Sequence, residues 1–151
     1  MWVKLLIIVI NDFAIIIDGR DNMDFNYYGS VCSDLHTVKD FLDELILKLT
    51  GIINNKEIIF DIKLILNELV INGAMHGNNC INTKCVSLSL EVVDNRIRIE
   101  VKDEGTGIDF NINEYNPGDL LYGGRGLVLV NGLSDELYID KNKVVAIKNI
   151  N

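Results

Sequence analysis

Ile62-Lys-Leu-Ile-Leu-Asn-Glu-Leu-Val-Ile-Asn-Gly-Ala-Met-His-Gly77 holds two patterns at once. Ile62, Ile65, Leu66, Leu69 and Gly73 recur at the spacing of one helix face, which predicts a helix packed on a core. Glu68, Asn72 and His76 follow one another at intervals of four, a polar stripe beside the apolar one. A carboxylate and an amide are costly to bury unpartnered, so the stripe faces solvent or a ligand. Two glycine-bearing turns downstream, Asp103-Glu-Gly-Thr-Gly107 and Gly123-Gly-Arg-Gly-Leu127, favour a ligand.

Upstream of this helix, Asn54 followed by Glu57 reads as a capping box, with the helix running to about His76 and stopping at Gly77-Asn-Asn79. Earlier still, Ser33 is the expected N-cap of an amphipathic helix through Leu35, Val38, Leu42, Leu45 and Leu49, ended by Gly51. His36 in its first turn reads as an exposed residue without a site role. Residues 24–30, rich in aromatics, are a strand. Downstream the period changes from 3.6 to 2. Val86, Leu88, Leu90 and Val92 alternate with polar positions, and Ile97, Ile99 and Val101 do so again after the turn signal Asp94-Asn95. The second strand delivers Asp103 to its end. Residues 108–122, including Pro117-Gly118, have no period and read as a functional loop. A short apolar helix over 126–131 and a hairpin about Lys141-Asn142 complete the order. That order implies an α+β domain of two layers, helices on one face of a mainly antiparallel sheet.

Composition sets bounds. A chain of 151 residues is one domain with room for a core, and 48% apolar with 24% charged residues excludes disorder. A net charge of −8 opposes general binding to nucleic acid, though a single nucleotide needs only local N–H groups and a metal ion. Trp2 to Ile17 is apolar, but Asn11 and Asp12 interrupt it, too early for a membrane span. Residues 1–22 are therefore expected as one or two strands or an apolar leader ahead of a domain over 23–151, with Met23 as an alternative start. Cys32, Cys80 and Cys85 lack zinc-ribbon spacing and are expected as reduced thiols of a cytoplasmic protein. A metal site of His76, Cys80 and Cys85 is disfavoured, since no CxxC pair is present.

The residue types suit nucleotide chemistry. Ionised Asp103 accepts but does not donate, which fits a purine exocyclic amine, and Gly105 and Gly107 let backbone approach the base. Gly124 and Gly126 precede a helix N-terminus, a ready phosphate site, where Arg125 either adds charge or points to solvent. Asn72 offers a hard oxygen to Mg²⁺, and Glu68 is placed to accept a proton. The alternative for Glu68 is a helix charge paired with Lys63. No Walker lysine motif and no protein-kinase HRD or DFG signature is present.

Over residues 24–150 the chain resembles the histidine-kinase-like ATPase superfamily. Glu68-x-x-x-Asn72-Gly-Ala-x-His76-Gly77 is similar to its N box, Asp103-x-Gly105-x-Gly107 to its adenine box and Gly124-x-Gly126-Leu127 to its last glycine box. Within that superfamily it looks most like the anti-sigma-factor serine kinases, through Gly-Gly-Arg-Gly-Leu127 and Leu133-Ser-Asp-Glu136. The resemblance implies a Bergerat-type α/β sandwich binding ATP and Mg²⁺. It makes Glu68 the catalytic base, Asn72 the magnesium ligand and Asp103 the adenine contact, with Gly105, Gly107, Gly124, Arg125, Gly126 and Leu127 shaping the pocket. It further implies serine phosphorylation of a small antagonist protein and binding of a sigma factor, with a homodimer left open. Two alternatives stand: a non-catalytic ATP-sensing module and a detached histidine-kinase catalytic domain. The lid over 108–122 departs from the pattern in having no Lys or Arg.

Overall fold

The computed structural model describes residues 6–10, 13–17, 23–107 and 125–150. In chain order these form β1 (Leu6–Ile10), β2 (Phe13–Ile17), β3 (Met23–Cys32), α1 (Leu35–Thr50), α2 (Lys56–Asn72), a π-helical turn (Gly73–Gly77), β4 (Cys85–Val93), β5 (Arg96–Lys102), α3 (Arg125–Leu133), β6 (Glu136–Asp140) and β7 (Lys143–Asn149). Among the described residues the strands make one antiparallel sheet in the order β1-β2-β3-β4-β5-β7-β6. This is the expected α+β architecture.

Alternation along the strands decides what faces the helices. Val86, Leu88, Leu90 and Val92 of β4 and Ile97, Ile99 and Val101 of β5 are buried, while their neighbours are not. The register pairs Leu90 with Ile99 and Leu88 with Val101, so the inward residues stack across strands. Asp94 and Asn95 turn the chain with φ of 50° and 61°, as a two-residue hairpin of right-handed strands requires. Against this face pack Val38, Leu42, Leu45 and Leu49 of α1, Ile62, Ile65, Leu66 and Leu69 of α2, and Leu127 and Val130 of α3. Each fully buried aliphatic side chain contributes about 1.5–3 kcal/mol.

Four local expectations are corrected. The cap of α1 is Asp34, whose carboxylate accepts the Thr37 N–H, while Ser33 is buried and donates to the Lys84 carbonyl. The cap of α2 is Asn55, one residue later than expected, and it accepts from Glu57 and Ile58. The long helix is not α-helical to His76: from Gly73 it widens to π pitch, and the Asn78 N–H reaches back to the Gly73 carbonyl at 2.8 Å. Cys32 and Cys85 are not reduced thiols; they are register partners on β3 and β4 and form a disulfide, leaving Cys80 free and exposed. The interruption at Asn11-Asp12 lies outside the described residues; β1 and β2 continue the sheet past β3.

Candidate nucleotide site

The site forms where three elements end together. The last turns of α2 present Glu68 and Asn72, both half-buried. The first turn of α3 comes against them so closely that a Cβ on Gly126 would lie 2.3 Å from Glu68 Oε2 and 2.9 Å from Asn72 Nδ2. A side chain there would have to push Glu68 or Asn72 aside. Leu127, the next residue, is buried in the core and anchors α3.

Asp103, just past β5, closes the other side. A Cβ on Gly73 would come within 3.5 Å of Asp103 Cβ, and one on Gly77 within 2.2 Å of Asp103 Cγ. A Cβ on Gly105 would meet the Gly77 carbonyl oxygen at 2.2 Å. The π turn and the Asp103 turn therefore pack backbone to backbone, which explains the glycines on both sides. Gly107 has a φ of 103°, and its Cα faces the Lys141 backbone, where a Cβ would come within 3.0 Å.

Asp103 is only 7% exposed. Burial raises its pKa, partly offset by the Gly105 N–H it accepts at 2.7 Å and by the charge of Lys84. Oδ1 accepts from Gly105, and among the described residues no donor occupies the second oxygen. Its backbone is fixed as well: the Asp103 N–H donates to the Asn142 carbonyl, and the Asn142 amide donates back to the Asp103 carbonyl.

Asn78 is the residue that sequence reasoning missed. It is fully buried, donates to Ser33 Oγ at 3.0 Å and accepts the Glu104 N–H at 2.7 Å. It reads in the sequence as a helix stop, and only its burial marks it as a strut under the Asp103 turn. His76 is exposed, as is Arg125. Gly124 and the lid over 108–122 lie outside the described residues.

The structure thus brings Glu68, Asn72, Asp103, Gly105 and Gly126 to one end of the helix layer. Comparison with known proteins points the same way. Residues 32–148 match the histidine kinase-like ATPase domain. The serine-protein kinase RsbW of Bacillus velezensis is 31% identical over 96 residues, 58% of this chain and 60% of the relative. The anti-sigma F factor of Clostridium perfringens is 32% identical over 91 residues, 55% and 64% of the two chains. The serine-protein kinase RsbW of Staphylococcus epidermidis is 31% identical over 102 residues, 60% and 63%. The aligned part spans about three fifths of the length of these curated relatives. With the match covering most of its length and the fold in agreement, the chain belongs to the histidine kinase-like ATPase family.

Proposed function

We propose that this protein binds ATP with Mg²⁺ and transfers its γ-phosphoryl group to a serine of a small antagonist protein, holding a sigma factor inactive in its other state. The observation that supports it best is the seating of Gly126 on Glu68 and Asn72, at the helix end that also meets Asp103. The donor set fits the ligand: a buried carboxylate with one oxygen to spare for an exocyclic amine, glycines that admit backbone only, and an amide oxygen for a hard cation. In this reading Asp103, Gly105 and Gly107 take the adenine, and Asn72 holds the metal. Gly124, Arg125, Gly126 and Leu127 take the phosphates. Bound Mg²⁺ supplies neutralisation of phosphate charge. Glu68 takes the proton from the attacking serine hydroxyl, and positioning supplies much of the rest. A cytoplasmic setting follows from such partners; no helix among the described residues is long and apolar enough to cross a membrane.

The test is incubation with γ-labelled ATP and candidate antagonist proteins. Label appears on serine with the wild-type chain. It falls by about 10²–10⁴-fold with Glu68→Ala while nucleotide binding persists. A second reading, an ATP-sensing module without turnover, is favoured by the absence of Lys and Arg from 108–122. Binding without transfer to any antagonist would select it.

A further inference from the structure

The Cys32–Cys85 disulfide closes the open end of the β3–β4 ladder, and a ring of hydrogen bonds runs from it to the Asp103 turn. Next to Cys32, Ser33 donates to the Lys84 carbonyl from both N–H and Oγ, at 3.0 and 2.8 Å. Ser33 Oγ accepts from Asn78 Nδ2, and Asn78 Oδ1 accepts the Glu104 N–H. The Glu104 carboxylate then accepts the Cys85 N–H at 2.6 Å, returning to the disulfide. Glu104 is flanked by Asp103 and Gly105, so the ring and the nucleotide turn share a backbone.

Two features suit the bond to a switch. Cys32 is exposed, so a small thiolate reaches its sulfur. The bond also sits at the rim, on the face away from the core that holds the sheet to the helices. From this geometry we infer that Cys32 and Cys85 form a thiol–disulfide site regulating the nucleotide pocket, with the oxidised form binding nucleotide more tightly. The inference rests on the nucleotide reading above. In the reducing direction a dithiol thiolate attacks Cys32 Sγ, and the S–S electron pair leaves on Cys85 Sγ, which takes a proton. The second thiol of the reductant displaces Cys32 from the mixed disulfide and leaves as a cyclic disulfide, giving two protein thiols. A low-molecular-weight disulfide is the co-reactant for the return step, accepting the two electrons as two thiols. Oxidation pins the ends of β3 and β4, so the ring restrains Glu104 and less order remains to be imposed when nucleotide binds.

The experiment compares the full chain, oxidised and dithiothreitol-reduced, with redox state checked by intact mass. Two quantities are read: backbone hydrogen exchange over residues 103–107, and the Kd of a fluorescent ATP analogue. Oxidation is expected to slow exchange in that segment and to lower Kd on the order of fivefold. Cys32→Ser and Cys85→Ser should both match the reduced form and ignore the reductant, whereas Cys80→Ser should keep the response. Equal exchange and equal Kd in the two redox states overturn the switch. A redox-dependent exchange with no nucleotide bound in either state instead removes the nucleotide reading, and the regulatory role with it.

Discussion

Asp103 shows two demands in opposition. Its burial favours the neutral acid, while a ligand amine needs the carboxylate. Because its folded pKa is raised, the native state holds a proton more firmly than the unfolded chain does. The resulting stability is full below the ordinary carboxylate pKa and is lost as pH rises through the folded value. Affinity runs the other way and increases over the same window. Asp103→Asn is therefore expected to raise the melting temperature of the ligand-free protein at neutral pH and flatten its dependence on pH. The same change weakens nucleotide binding by about tenfold or more, since an amide nitrogen then meets the ligand amine. Thermal melts across pH, with and without nucleotide, check both halves. The residues of the candidate site could be picked out in sequence because glycines stand beside Asp103 and Asn72, and the structure brings them together. Asn78 could not, because nothing in the chain order reveals that residues 33, 78 and 104 meet.

Among the elements, α2 depends on its first cap. Asn55→Ala should cost about 1 kcal/mol in urea unfolding by removing the acceptor for two N–H groups, and Asn54→Ala should cost close to nothing. The capping-box pattern pointed to Asn54, and local pattern alone does not choose between adjacent asparagines. The alternation of β4 and β5 was readable because an apolar face repeats every second residue. The π turn was not, since nothing in the local spacing shows the Asp103 turn packing beside Gly73. Gly126→Ala at α3 is the sharper test: its methyl must displace Glu68 or Asn72. It should cut phosphoryl transfer at least tenfold while far-ultraviolet circular dichroism stays unchanged.

On the scale of the whole molecule, Lys148 binds the layers together. Its ammonium pairs with Asp61 of α2 at 2.9 Å and donates to the carbonyl of Leu133, the last residue of α3, at 2.8 Å. Both side chains are mostly covered, so Lys148→Met strands the Asp61 carboxylate and should lose about 3 kcal/mol in urea unfolding. The final hairpin has a further consequence. β7 lies inside the sheet against β5, and β6, made before it, lies at the edge. A ribosome must therefore deliver residues through Asn149 beyond its exit tunnel before the β5–β7 ladder can close, however early the helices form. Asn142, which grips the backbone of Asp103, arrives in the same late portion. Stalled nascent chains ending short of β7 should not retain immobilised ATP, and capture should begin abruptly once that strand emerges.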